Sequence, residues 1–233
     1  MTILEIAFLT LTAFTVLFLF LIGTRAIDYS GVKPMKNKVV LVIGLIAWQF
    51  YIFIASSFVG MQSYDFPPRF ALAFIIPSFA FTGLFLYRNR NEKWIFGIQE
   101  HWLVYFQSFR VLVELLFVYA LAEGVFNKEV TIEGFNFDMV FAFTAPIMGL
   151  LVYRQKVIPR KSLVFWNYIG LAILASVIMV FMISIYTPHI FGSEVPLLPL
   201  EAMTYPFVLI AGFLMPTAVF LHILSLIQLK KQL

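Results

Sequence analysis

Residues 162–186 read SLVFWNYIGLAILASVIMVFMISIY, and none of these side chains is charged. A helix needs about 20 predominantly apolar residues to cross the hydrocarbon of a bilayer, because its backbone groups must be satisfied internally there. This stretch is therefore predicted to be a membrane span, and six more stretches have the same character. The predicted spans cover residues 3–23, 39–62, 69–87, 101–123, 136–153, 162–186 and 202–228. The sequence predicts an all-α, polytopic membrane protein, a seven-transmembrane-helix bundle.

The composition agrees with this prediction. Of the 233 residues, 62% are hydrophobic and 12% are charged, whereas about 25% of the residues of a soluble domain are charged. Membrane lipids would cover the apolar surface that no core of this size could hide. The spans occupy most of the chain, so we expect a single transmembrane domain over residues 1–233. The absence of cysteine excludes disulfides and thiolate metal sites.

Basic residues are concentrated after the first, third, fifth and seventh predicted spans. These segments contain Arg25, Lys33, Lys36, Lys38, Arg88, Arg90, Lys93, Arg154, Lys156, Arg160, Lys161, Lys230 and Lys231. Loops rich in lysine and arginine stay in the cytoplasm. The amino end is therefore expected outside and the carboxyl end in the cytoplasm. Since topology explains the basic residues, nucleic acid is not expected as a partner.

Short patterns recur in the two halves of the chain. Residues 77–81 (PSFAF) and 216–220 (PTAVF) share the spacing Pro-[Ser/Thr]-x-x-Phe, and IGL occurs at residues 43–45 and 169–171. These matches favour a 3+1+3 parallel internal repeat, in which helices one to three correspond to helices five to seven. The alternative is chance, because these residue types are common in membrane helices.

The fourth predicted span has charged residues in its middle. Arg110 and Glu114 each cost about 2.5–3.5 kcal/mol at the bilayer centre on the insertion scale, so both should face protein, water or each other. Their i, i+4 spacing predicts an ion pair on one helix face, which Gln107 extends by a turn. Gln49 of the second span and His222 of the seventh complete the predicted ligand-binding set. The alternative is a structural pair that locks the helix in place.

Other polar residues have simpler interpretations. Only His101 and His222, of the three histidines, lie toward the same side of the membrane, so neither haem nor a metal site is predicted and no cofactor is expected. Asn136 and Asp138 open the fifth predicted span. There, an asparagine can cap the first turn and an aspartate can meet the positive end of the helix dipole.

Known signatures are mostly absent. The seventh span has no lysine for a retinal Schiff base, and neither hydrolase nor phosphate-binding motifs occur. The size and the 3+1+3 plan resemble those of SWEET-type sugar transporters in architecture only. Residues 106–116 (FQSFRVLVELL), 137–154 (FDMVFAFTAPIMGLLVYR) and 166–171 (WNYIGL) resemble segments of a family of small bacterial seven-helix integral membrane proteins with no known activity. That resemblance implies a bacterial inner membrane location.

Three functional hypotheses follow from the sequence. The leading one is a transporter-like or ligand-binding membrane protein that takes a small-molecule ligand at the central polar site. The second is a sensor or an accessory subunit, with a second copy or another membrane protein as its partner. The third is an intramembrane enzyme for a lipid or polyprenyl substrate, with Glu114 or His222 as acid or base.

Overall fold

The computed structural model describes residues 1–58 and 60–232, and this part of the chain is helical with no β-strand. Its α-helices are α1 (Ile3–Ser30), α2 (Pro34–Ser56), α3 (Ile76–Asn89), α4 (Glu100–Phe106), α5 (Phe109–Ala122), α6 (Asp138–Gly149), α7 (Ser162–Tyr186) and α8 (Met215–Gln232). Three π-helical turns extend them, at Ala71–Ile75 before α3, Leu150–Arg154 after α6 and Ile210–Leu214 before α8. Short 3-10 turns occupy Lys93–Gly97, Lys128–Val130, Pro188–Phe191 and Leu200–Met203.

Six helices of the described residues are long and apolar enough to cross a membrane. They are Ile3–Ser30, Pro34–Ser56, Ala71–Asn89, Glu100–Ala122, Ser162–Tyr186 and Ile210–Lys231. Each coincides with one of the predicted spans, so the prediction of an all-helical, multi-pass membrane protein is confirmed. The fifth predicted span, residues 136–153, corresponds to α6 with its π-helical turn, which is shorter than the other six.

Helix α6, in the fifth predicted span, is short for a structural reason. It begins at residue 138 inside the bundle, because residues 123–137 fold inward over it. Asn136 contacts Glu114, which lies eight residues before the end of α5, or about 12 Å below that end at a rise of 1.5 Å per residue. Irregular backbone at this depth must be buried in protein, and Val130 is fully buried. The inward segment therefore replaces about two turns of helix.

Helix α8 lies at the centre of the bundle and packs against α3, α4 and α7. In an apolar 18-residue stretch of the span Ile210–Lys231, which contains most of α8, 78% of the residues are buried inside the protein, compared with 17% for such a stretch of α2 at the periphery. The polar side chains His222, Ser225 and Gln228 are all buried. Because α8 is enclosed by protein, these groups avoid the cost of facing lipid.

A proline in the seventh span frees a backbone carbonyl that other helices use. Pro216 has no N–H to donate to the carbonyl of Gly212, four residues earlier. The indole Nε1 of Trp48 on α2 donates to that carbonyl at 2.9 Å, and the hydroxyl of Ser78 on α3 lies within 3.0 Å of it. The missing helical bond therefore becomes a connection from the π-helical turn before α8 to α2, and to α3 through Ser78, whose hydroxyl also lies 2.5 Å from the carbonyl of Phe74.

The third span repeats this arrangement. Pro77 leaves the carbonyl of Ala73 without its helical donor, and the hydroxyl of Tyr51 on α2 donates to that carbonyl at 2.8 Å. The rings of Trp48 and Tyr51 stack with their centroids 5.1 Å apart. Two neighbouring aromatic side chains of α2 thus hold both proline breaks.

One end of the bundle gathers the basic segments. Cross-contacts at this end join Arg25 to the ring of Trp102 at 4.1 Å, Arg160 to Glu100 at 3.7 Å and Lys231 to Asn91 at 3.1 Å. The segments that follow the first, third, fifth and seventh predicted spans therefore meet on the same side of the fold.

Candidate functional site

The centre of the site is an ion pair between Arg110 on α5 and Asp138 at the start of α6. Arg110 donates from Nε to Oδ2 of Asp138 at 2.9 Å and from Nη2 to Oδ1. Arg110 is 2% exposed and Asp138 is 4% exposed. Two parallel bonds to one carboxylate are the strongest arrangement a guanidinium makes, and the amino end of α6 adds a favourable dipole for the negative charge.

This geometry corrects the predicted pairing. The ion pair expected between Arg110 and Glu114 is wrong, because within the described residues no direct salt bridge joins them. The i, i+4 spacing does turn both side chains toward the start of α6, but Asp138 is held at the helix end in a position that suits Nε and Nη2 of the guanidinium. Glu114 is left to a neutral partner, Asn136.

Asn136 connects Glu114 to the start of α6. Its Nδ2 donates to the carbonyl of Val130 at 2.9 Å and lies 3.0 and 2.9 Å from the two carboxylate oxygens of Glu114. An amide nitrogen carries two hydrogens, so one serves Val130 and the other serves the carboxylate. Oδ1 of Asn136 accepts from the backbone N–H of Asp138 at 2.9 Å. The N-cap of α6 is Phe137, which makes no side-chain capping bond, so the cap predicted for Asn136 is displaced by one residue. Asn136 instead satisfies the first N–H of the helix from outside it and also binds the buried carboxylate.

His222 of α8 lies on the other side of the arginine. Its Nε2 is 3.0 Å from Nη1 of Arg110, and its Nδ1 is 2.8 Å from Oδ1 of Asn167 on α7. Arginine can only donate, so Nε2 must be the acceptor. The proton then sits on Nδ1 and is donated to Asn167. Nδ2 of Asn167 donates in turn to Ser225 at 3.0 Å and to the carbonyl of Leu163 at 2.7 Å.

Gly170 of α7 provides the space for the histidine. A Cβ atom at this position would lie 2.4 Å from Cε1 of His222 and 2.8 Å from the ring of Phe141. The ring of Phe141 also lies 5.2 Å from the Arg110 guanidinium and stacks on Trp166 with centroids 5.0 Å apart. One of the two IGL patterns therefore marks a close approach of α7 to α8.

The remaining predicted site residues have separate positions. Nε2 of Gln107 donates to the carbonyl of Ala218 on α8 at 3.1 Å, and its Oε1 is buried without a hydrogen-bond partner. Gln49 is half-buried, and no hydrogen bond among the described residues joins it to Arg110 or Glu114. The structure thus brings Arg110, Glu114 and His222 into one polar cluster, with Gln107 one turn away and Gln49 outside it.

A small cavity lies against the cluster. Its volume is about 20 Å³, which is enough for one water molecule. The polar lining residues are Arg110, Glu114 and Asp138, and the rest are apolar, including Val113 and Leu214. Within residues 1–58 and 60–232, no three histidine, aspartate or glutamate side chains converge on a metal-sized site.

Sequence reasoning missed Asp138, Asn136 and Asn167 as members of the cluster, which we define as Arg110, Glu114, Asn136, Asp138, Asn167 and His222. A usable signal was present. Asp138 is an acidic residue in a predicted span, and a buried arginine requires a nearby counter-charge. Because Asp138 lies at a helix start, the helix dipole was a sufficient explanation for its charge, and a contact with Arg110 was not needed to explain it.

The charges of the cluster do not balance. Arg110 contributes one positive charge, Asp138 and Glu114 are two carboxylates, and the hydrogen bonds of His222 are those of a neutral ring. The cluster can therefore accept one further positive charge.

No protein-family model, curated protein or solved structure matches this chain.

Proposed function

We propose that this chain is a transporter-like or ligand-binding membrane protein whose central site is the polar cluster around Arg110. The main supporting observation is that Arg110, Asp138 and Glu114 are each no more than 4% exposed and line a cavity between the helices, with the buried His222 in contact with Arg110. An ion pair between Arg110 and Asp138 would be sufficient to lock the helices. The second carboxylate adds a burial cost that a purely structural cluster does not need.

The proposed topology has seven crossings, with the amino end outside and the carboxyl end in the cytoplasm of a bacterial inner membrane. The contacts among the basic segments support a common side for them. In this topology α6 and its π-helical turn form the fifth crossing. Seventeen residues rise about 25 Å, and the inward segment 123–137 supplies the remaining depth.

Accessibility labelling tests the fifth crossing directly, since the chain has no cysteine of its own. Lys128 and Gln155 flank α6 and are exposed. With a membrane-impermeant maleimide applied to intact cells, K128C should be labelled, and Q155C should be labelled only after permeabilisation. Labelling of both from the same side would leave six crossings and refute this topology.

A 3+1+3 parallel repeat is part of the proposal. Each of the π-helical turns Ala71–Ile75 and Ile210–Leu214 begins six residues before the proline of its span, Pro77 or Pro216. In both spans a side chain of α2 donates to the carbonyl that the proline frees. Matching backbone irregularities in the same register support a common origin for the third and seventh helices.

A second candidate, an accessory subunit or sensor, is favoured by how closed the site is. Each of the three guanidinium nitrogens of Arg110 already has a partner in Asp138 or His222, and the cavity has room for only one water. The third candidate, an intramembrane enzyme, gains no support, because Glu114 and His222 are 2% and 0% exposed and both ring nitrogens of His222 are engaged.

Native mass spectrometry of the purified protein tests ligand binding. A small molecule should co-purify with the wild type and with R69Q, a surface control, and should be lost from R110Q and D138N. Variants that elute as monodisperse species qualify for the comparison. Identical bound molecules in the wild type and both cluster variants, or none in the wild type, would contradict a ligand site here and favour the accessory role.

A further inference from the structure

Glu114 is the one carboxylate of the cluster that has no cationic partner in contact with it. Asp138 accepts from Nε and Nη2 of the available guanidinium, and Nη1 faces His222. The hydrogen-bond partner of Glu114 is the neutral amide of Asn136. Its side chain is 2% exposed. A charged carboxylate in such surroundings carries a large desolvation cost, which binding a positive charge removes.

Among the described residues of the elements packed around Glu114, no other side chain supplies a positive charge. From α5 itself Arg110 faces the same way, from α6 comes Asp138, and from α8 comes His222, whose bonds are those of the neutral ring. Helices α1 and α7 present only uncharged buried side chains, such as Thr12 and Asn167. The charge that balances Glu114 must therefore come from outside the chain.

A proton suits the site better than a metal cation. Hard cations take six or more oxygen ligands, whereas the polar side chains lining the cavity are only Arg110, Glu114 and Asp138, and the oxygens of Asp138 are occupied by Arg110. The N–H of Asn136 also points at the oxygens of Glu114, where it would repel a cation. The cavity volume of about 20 Å³ leaves room for one water.

We propose that Glu114 holds a single exchangeable proton, which rests on the proposed function and deepens it by naming an ion that this site binds in addition to its ligand. The proton passes from a hydronium ion in the cavity to a free lone pair on one carboxylate oxygen, leaving water and a neutral carboxylic acid. The other oxygen keeps its hydrogen bond from Asn136. Asn136 also accepts from the N–H of Asp138, so the state of Glu114 is transmitted to the start of α6.

Infrared spectroscopy of the protein reconstituted in phosphatidylcholine and phosphatidylglycerol liposomes tests the proposal. At neutral pH the wild type should show the C=O stretch of a buried protonated carboxylic acid, shifted in heavy water. The band should be lost from E114Q and kept in E194Q, which alters an exposed carboxylate. Absence of the band from the wild type, or its persistence in E114Q, would overturn the proposal.

The folding of E114Q is a second readout. Glutamine has the shape and charge of the protonated acid, so E114Q should retain the wild-type melting temperature within a few degrees. A variant that fails to fold would show that the ionised form is required, which also overturns the proposal. Neither readout depends on a co-purified ligand. Absence of a bound ligand from the wild type in native mass spectrometry would contradict the ligand site alone. Absence of the carboxylic acid band from the wild type would contradict the proton site alone.

Discussion

Removal of the buried arginine should destabilise the protein more than removal of the aspartate that it contacts. R110Q leaves Asp138 and Glu114 buried with no positive charge, and breaking a buried pair on one side costs about 3–5 kcal/mol. D138N also breaks the pair, but Glu114 on the same helix can then ionise and balance Arg110. The cost of D138N should therefore be smaller. The surface control R69Q breaks an exposed contact with Asp65 at 4.0 Å, which is worth about 0–1 kcal/mol.

The assay is thermal unfolding of the purified variants in one mild detergent. For a chain of this length, 1 kcal/mol shifts the melting temperature by about 2–4 °C, so R110Q should melt on the order of 10 °C below the wild type. D138N should fall between R110Q and R69Q. If D138N is as damaging as R110Q, Glu114 does not act as a reserve counter-charge. If R69Q is equally damaging, the burial argument fails.

Two further predictions concern packing and the freed carbonyls. G170A forces a methyl group against His222 and should lower the free energy of unfolding by about 1–3 kcal/mol, measured by thermal unfolding. The control G44A, in the other IGL pattern, meets open space and should be neutral or slightly stabilising. Equal effects of the two substitutions would refute the close approach of α7 to α8. W48F removes a hydrogen bond worth about 1 kcal/mol. S78A should cost more stability in the W48F background than in the wild type, because the carbonyl of Gly212 then has neither side-chain donor. Simple additivity in that double-mutant cycle would count against a shared acceptor.

The membrane character of the fold could be predicted from the sequence because it depends on local composition. An uncharged stretch such as residues 162–186 has to be helical in hydrocarbon whatever its neighbours are. The length of the fifth span was harder to predict. Residues 136–153 are apolar enough to continue as helix, and only the contacts of Asn136 with Glu114 and Val130 explain why the helix begins at Asp138.

The cluster was predictable only in part for the same reason. Arg110, Glu114 and His222 are conspicuous because charge and imidazole are rare in spans, and rarity is visible in a sequence. The partner of each is a tertiary choice. Helical spacing predicted that Arg110 and Glu114 share a face, but whether they bind each other depends on what the next helix presents, which here is Asp138.

The two proline breaks make α2 more than a peripheral helix. Its side chains Trp48 and Tyr51 stack on each other, and each anchors a different broken span. A rigid displacement of the third helix would therefore pull on the seventh by two routes, through this aromatic pair and through the hydroxyl of Ser78, which contacts the carbonyl of Gly212 directly. A bulky lipid or inhibitor that wedges between these rings would remove the route through α2 and leave the direct contact of Ser78 and the charged centre intact.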